Sequence, residues 1–394
     1  MSPWGCVMKY YEFPIGEMNQ KLANARELMA KAKMKGLVVT AAANHFYFTG
    51  FRMLANWASF TRTVFVFIPL EKEPVLYVQE FAKSEAIAKS AYPDVRTFKE
   101  IMSAPIGGIV EIMKELGMDS GKVGFELGYE QRMDMSFRDY EAVKASLPDT
   151  DFVDASDLIW RLRMIKLPFE IECMRESNRI TSRAFDRCYR EIHEGMTEKE
   201  VAQKFVAILA EEGSELPGFV IVISGPGNYD RISARPTDKK LHRGDFVWID
   251  AGANYKGYFA DFCRAGVVGG GTAEQRRLQS VVHEATLKAC QAVASGVAME
   301  DLYNICAQEF LAHQLPWSFE CGRAGHGIGL QLTEPPSVAK CDRTLLQPGM
   351  VITLEPGHVN ELGCFDVEEN ILVTETGYEI LSGGSRELYD IATA

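Results

Sequence analysis

Residues 241–252 read LHRGDFVWIDAG, and residues 346–357 read LQPGMVITLEPG. Each stretch begins at a leucine, reaches a glycine three positions on, runs through an apolar segment and ends on a carboxylate followed by x-Gly. Gly244 precedes Asp250 by six positions, and Gly349 precedes Glu355 by the same six. The runs Phe246–Ile249 and Met350–Ile352 have the composition of core strands. Beyond each carboxylate the chain turns and brings in another: Asp261 in GYFADFC, and Glu368 or Glu369 in DVEENILV. A carboxylate ending a buried strand is costly unless something positive sits against it. Two related half-sites, each presenting two acids, point to a pair of metal ions held between duplicated halves.

A second echo lies outside the first. GMTEKE at 195–200 contains T-x-x-E, a capping box that opens a helix. GVAMEDL at 296–302 repeats it more weakly, which supports an internal duplication of the C-terminal region. Upstream, SDLIWRLRMIKLPFE at 156–170 reads as a boundary, with a long amphipathic helix beginning near Glu170. Residues 17–35 have helical periodicity, GLVVT follows as a buried strand, and Asn44–Gly50 (NHFYFTG) reads as a loop-and-strand piece. Thr63–Leu70 and Pro74–Val78 form a hairpin about the turn EKE, and helix and strand signals alternate to Asp154. This predicts an α/β domain over 1–160 and an α+β domain with internal duplication over 161–394.

A chain of 394 residues is long for a single core, in keeping with two domains. Its 47% apolar and 24% charged content are those of an ordinary globular protein. The net charge of −12 argues against a nucleic-acid or anionic-membrane partner. The first residues lack an apolar core of signal-peptide length, and no apolar run reaches the roughly 18 residues of a membrane span. The nine cysteines are odd in number and include no CxxC pair, which reads as reduced thiols in a cytoplasm. Gly269-Gly270-Gly271 is not followed by lysine and reads as a linker, so no nucleotide site is in view.

Hard divalent ions prefer carboxylate oxygens, and one imidazole can complete a site for Mn, Co, Fe or Zn. The candidate imidazole is His326, in GHGIGL at 325–330, where flanking glycines let backbone approach closely.

Asp250 and Asp261 eleven apart, GHGIGL at 325–330, EPG at 355–357 and EEN at 368–370 together resemble the pita-bread metallohydrolases. That family includes methionine aminopeptidase, aminopeptidase P, prolidase and the metal-free creatinase. The resemblance covers the whole chain, and GLVVT…NHFYFTG is similar to the smaller domain of the prolidase and creatinase branch. It implies a creatinase-like N-terminal domain, a duplicated pita-bread catalytic domain and a homodimer. It also implies Asp250, Asp261, His326, Glu355 and Glu368 as ligands of two divalent metal ions (Mn, Co, Zn or Fe). The family's E-D-N pattern lays Glu368 on the ligand and Glu369 on the aspartate that follows it. Asp261 and Glu368 would bridge the ions, a shared water would be the nucleophile, and Glu355 would shuttle its proton. In the prolidase branch a partner's N-terminal domain overhangs the pocket, which makes Trp57 and Phe60 in NWASFTR lid candidates. The implied activity is that of a metal-dependent hydrolase of the X-Pro dipeptidase or aminopeptidase P type, cleaving an amide bond in a small molecule or short peptide.

Three positions depart from the family pattern. Ser233 replaces the substrate-side histidine before Pro236-Thr237-Asp238, Thr333 replaces the histidine before Glu334-Pro335, and Asp366 stands where prolidase-like members carry arginine. These three, with Glu355, are the catalytic candidates. Both imidazoles that stabilise or protonate the tetrahedral intermediate are thus missing. His358 and His45 are candidates to supply one, and Arg231 and Arg235 to bind a substrate carboxylate, whereas His242, His283 and His313 read as structural. One alternative is a non-peptidase enzyme acting on a small zwitterion, resembling dimethylsulfoniopropionate lyases, creatinase or ectoine hydrolase. Those lyases carry aspartates at the positions of Gly252 and Thr333, and creatinase dispenses with metal. A non-catalytic binding module is a further alternative, weakened because all five ligand types survive.

Overall fold

The computed structural model describes residues 8–53, 63–316 and 322–394, so Trp57 and Phe60 lie outside the described residues. The chain divides into two compact units, Met1–Arg163 and Met164–Ala394. In the first, the elements run α1 (Ile15–Lys31), β1 (Met34–Val39), α2 (Ala42–Thr49), β2 (Phe65–Pro69), β3 (Val75–Gln79), α3 (Lys83–Lys89), β4 (Asp94–Phe98), α4 (Ile106–Leu116), β5 (Gly121–Phe125), α5 (Phe137–Ser146), β6 (Thr150–Asp154) and α6 (Ser156–Met164). Among the described residues they build one six-stranded sheet in the order β4-β3-β2-β1-β5-β6. The short turn between β2 and β3 makes that pair antiparallel, whereas β3–β4 and β5–β6, joined through helices, are parallel.

Asn44–Gly50 corrects the expectation of a loop-and-strand piece: it lies in helix α2 and its cap. Every residue from Asn44 to Thr49 is buried, and an apolar run buried on all sides has no period to separate helix from strand. The helix is set by its ends. The buried carboxylate of Glu126 accepts hydrogen bonds from Thr40 N at 2.8 Å, Ala41 N at 3.1 Å and Asn44 Nδ2 at 2.6 Å. That places an acid at the helix N-terminus, and Gly50 at φ 69° closes the other end.

The second unit runs α7 (Pro168–Glu191), α8 (Glu198–Glu211), β7 (Leu216–Ser224), β8 (Phe246–Tyr255), β9 (Tyr258–Phe259), β10 (Phe262–Val268), α9 (Ala273–Gln291), α10 (Met299–Ala312), β11 (His326–Gly327), β12 (Glu334–Ser337), β13 (Val351–Leu354), β14 (Gly357–Asn360), β15 (Gly363–Asp366), β16 (Glu369–Thr374), β17 (Gly377–Ile380) and β18 (Tyr389–Ile391). Its described strands form the sheets β18-β10-β8-β7, with β9 on β8, and β12-β11-β13-β16-β17, beside the hairpin β14-β15.

The duplication is written in the backbone. Gly195 N donates to Leu241 O at 2.9 Å and Leu241 N to Met196 O at 2.8 Å; Gly296 N donates to Leu346 O and Leu346 N to Val297 O, both at 2.8 Å. Gly244 N donates to Val268 O at 2.8 Å, and Gly349 N to Val373 O at 2.9 Å. Gly244 and Gly349 share φ 88°, and Gly195 and Gly296 have φ 90° and 89°. In each half a helix pair covers one face of the strands. Phe185 and Phe205 pack with Val247, Ile249 and Ala251, and Leu302 and Cys306 with Ile352, Leu354 and Ile371. Side chains alternate along a strand, so Asp250 and Glu355, one residue past Ile249 and Leu354, face away from the helices.

Candidate metal centre

Asp250 sits within β8, opposite Cys263 of β10, and Asp261 lies just before β10. Glu355 and Glu368 occupy the equivalent places at the end of β13 and before β16. Asp261, His326 and Glu368 are all buried, and each offers a ligand atom within 4.8 Å of the others. His326 Nε2 lies 3.4 Å from Asp261 Oδ2 and 3.7 Å from Glu355 Oε1. The other ring nitrogen, Nδ1, lies 2.9 Å from the carbonyl of Gly327. A carbonyl only accepts, so Nδ1 carries the proton and the Nε2 lone pair faces the acids. His326 N donates to Thr353 Oγ1 at 3.0 Å, and Glu355 N to Ala324 O at 2.9 Å, which holds the histidine loop against the glutamate strand. Gly325 makes this approach possible: at φ 150°, a Cβ there would lie 2.1 Å from Thr353 O.

Neighbouring residues settle which glutamate turns inward. Ile371 and Val373 face the helices, so Glu369 shares their side and Glu368 the opposite one. Glu369 is held by Arg264 and Arg386, with Arg386 Nε at 2.7 Å, and by Ser382. Burial alone would raise Glu369, but the two guanidiniums hold it below its usual range. The inward acids go the other way. Burial, followed by the charges of neighbouring carboxylates, pushes Asp250, Glu368 and Asp366 well above the carboxylate range. Burial lifts Asp261 to about 8 and raises Glu355, with Arg323 opposing both. Among the described residues, Asp250 Oδ1, Asp366 Oδ1 and Glu368 Oε1 have no hydrogen-bond partner. Crowded buried acids with orphaned oxygens, beside an imidazole held with its lone pair inward, fit a divalent cation.

Residues 172–375 match the model of Metallopeptidase family M24, and residues 21–165 match the Creatinase/Prolidase N-terminal domain. The chain belongs to metallopeptidase family M24. It is 30% identical over 372 residues to the Xaa-Pro dipeptidase of Pyrococcus furiosus, covering 94% of this chain and 100% of that one. The Xaa-Pro dipeptidase structure from Bacillus anthracis superposes with a TM-score of 0.82 at 25% identity, covering 95% of this chain and 99% of that one. The prolidase structure from Pyrococcus horikoshii gives 0.79 at 28% identity, covering 94% and 100%. The fold is therefore the pita-bread fold behind a creatinase-type N-terminal domain, and the chain is a metal-dependent hydrolase. M24 membership implies divalent metal ions.

Not every expected M24 position gathers at the cluster. Ser233 is exposed and Thr333 half-buried, and among the described residues neither has a hydrogen bond. Asp366 is buried, within reach of the charges of Glu355 and Asp250. The two proposed substitute histidines have other engagements. His358 Nδ1 lies 3.0 Å from Pro316 O, and its Nε2 lies 3.2 Å from Asn360 Nδ2. His45 is fully buried with Nδ1 3.1 Å from Phe51 O, and burial lowers it to about 4. Arg231 and Arg235 are exposed, and Arg231 Nη1 donates to Asn228 Oδ1 at 3.2 Å.

Sequence reasoning missed the scaffold behind the site. Arg264, 1% exposed, donates through Nη1 to Cys263 O and to Glu368 O, both at 2.7 Å, and through Nη2 to Gly383 O at 2.8 Å. Asn370 Oδ1 accepts from Asp261 N at 3.0 Å while its Nδ2 donates to Asp261 O. Lys166, read only as a boundary residue, is buried with Nζ 3.6 Å from Glu334 Oε2, and Glu334 Oε1 accepts from Gln331 N at 3.0 Å. A lysine before a helix and a glutamate after the glycine frame were the only sequence signals for that pair. The described residues hold no helix long and apolar enough to cross a membrane, and their seven cysteines form no disulfide.

Proposed function

We propose that this M24 hydrolase is a dipeptidase of the Xaa-Pro type, with Asp250, Asp261, His326, Glu355 and Glu368 holding two divalent ions. The observation that carries the reading is the buried trio Asp261, His326 and Glu368, within 4.8 Å of one another, with Nε2 of His326 left to accept a cation. Bound there, divalent ions lower the pKa of water and polarise a carbonyl. Asp261 and Glu368, one from each half, hold the two sides of the site together. Glu355 is the proton carrier: its side chain is 28% exposed, against 7% for Asp261. It takes the proton of the attacking water at Oε1 and delivers it to the departing nitrogen. The relatives' names supply the Xaa-Pro preference, and the resemblance supplies the homodimer, which light scattering measures directly.

The test is an assay of the protein reconstituted with Mn, Co or Zn against Xaa-Pro dipeptides, with dimethylsulfoniopropionate, creatine and ectoine in parallel. Turnover of dipeptides that is lost on chelation is the expected result. Intact dipeptides with a consumed zwitterion would replace the reading with the small-zwitterion alternative. Exposed Ser233 and half-buried Thr333, in place of imidazoles, are what keep that alternative in the panel. Gly252 weighs against the lyase form, because any Cβ at that position would lie 1.6 Å from Ala260 O.

A further inference from the structure

One carboxylate in the cluster has no place in the five-ligand set. Asp366 ends β15 and pairs across its hairpin with Gly357, two residues beyond Glu355. Its carbonyl accepts the thiol of Cys263 at 3.4 Å, and Cys263 is the register partner of Asp250. The residue is thereby fixed between the ends of the two ligand strands. It is 4% exposed, and among the described residues its Oδ1 has no hydrogen-bond partner. The charges that act on it most strongly are those of Glu355 and Asp250.

Among the described residues no cation hydrogen-bonds or ion-pairs with this acid, and the charge of Arg264 acts on it less than those of the neighbouring carboxylates. The Arg264 guanidinium is spent on Cys263 O, Glu368 O, Glu369 and Gly383 O. The thiols of Cys263 and Cys364 are buried and carry no positive charge to set against it. A buried carboxylate facing two others needs a cation against it, and hard divalent ions gather six or more oxygen donors.

We propose that Asp366 is a further carboxylate ligand of the metal centre, joining the ion on the Asp250 side. The inference rests on the reading that the four acids and the imidazole above hold divalent ions. It makes the two ends of the site unlike in chemistry. The His326 end contains nitrogen, and the Asp250 end is built from oxygen alone, a donor set that suits Mn better than Zn.

The experiment titrates metal-free protein with Mn2+ by calorimetry and with Co2+ by visible absorption, whose d–d bands strengthen as coordination number falls. Two equivalents are expected in the wild type. Asp366→Asn should keep one tight equivalent, weaken the other by about tenfold or more, and intensify the Co2+ bands of the second. Equal affinities in the two proteins would overturn the proposal, as would weaker binding with an unchanged Co2+ spectrum, which means charge without ligation. If the asparagine variant fails to fold, Asp366→Glu serves instead: two ions with an altered spectrum support ligation, and a wild-type spectrum overturns it. A wild type that takes up no ion would defeat the five-residue set itself. Two ions bound alike by wild type and variant would defeat only the role of Asp366.

Discussion

In the first half of the second unit, β8 delivers Asp250 and the returning chain delivers Asp261. In the second half, β13 leads to Glu355 and the returning chain brings Glu368. The imidazole has no counterpart. Ser224 pairs with Val247, and Gly327 with Ile352. Val247 and Ile352 each stand three residues past the repeated glycine, so Ile223 occupies in the first half the place His326 holds in the second. Ile223 is 2% exposed and packs with Trp248 and Phe246 in the core. One backbone plan thus carries two chemical loads, and the difference lies in which side chain faces inward, not in how the strands are laid.

The largest test of that equivalence removes one acid from each half. Asp261→Ala and Glu368→Ala should each lower metal affinity by more than about 100-fold and abolish activity, as read by equilibrium dialysis and turnover. A large loss from one and a small loss from the other would show that the halves do not share the ions. A second test uses pH on metal-free protein. Burial raises Asp261 to about 8, so its folded form binds a proton that the unfolded chain has already released. Stability should therefore fall as pH rises from about 4 towards 8, and added Mn2+ should remove that slope in thermal melts. Glu369 runs in the opposite sense. Its pKa is lowered, so its contribution is present above the usual carboxylate pKa and disappears as pH falls through its folded value. Glu369→Gln should flatten that acid limb.

The two close backbone approaches give a third comparison. A Cβ at Gly252 would lie 1.6 Å from Ala260 O, and one at Gly325 would lie 2.1 Å from Thr353 O. Alanine at either should cost about 3 kcal/mol in urea unfolding, with the Gly325 variant also losing metal because His326 is displaced. The smallest effect is at the helix starts. Thr197 Oγ1 accepts from Glu200 N at 3.2 Å in a full capping box, whereas Ala298 caps α10 with no side chain. Thr197→Ala should cost about 1 kcal/mol, and Ala298→Thr should recover a similar fraction of that in the other half.

How much of this could be read from the sequence follows from what each residue's neighbours are. Asp250 and Glu355 stood out because each carboxylate closes an apolar strand, where burial is costly without a compensating partner. His326 was legible through its glycines. Glu368 and Glu369 could not be told apart, because both are buried and Ile371-Leu372-Val373 carries no alternation to assign a face. Only the packing of Ile371 and Val373 against the helices separates them. Helix α2 was misread since its residues are buried on every side. The Lys166–Glu334 pair spans residues far apart in the chain, with no periodicity linking them, and Arg264 looked like any strand arginine.

That arginine has a consequence for how the domain comes apart. One guanidinium donates to Cys263 O in the first half and to Glu368 O and Gly383 O in the second. If either half opened by itself, a buried cation would be left facing carbonyls that had gone. Partial opening along the seam between the repeats is therefore closed to this fold. The two halves are bound to melt in a single cooperative transition, so hydrogen exchange at Asp261 and Asn370 should report the global unfolding rate rather than a local breath.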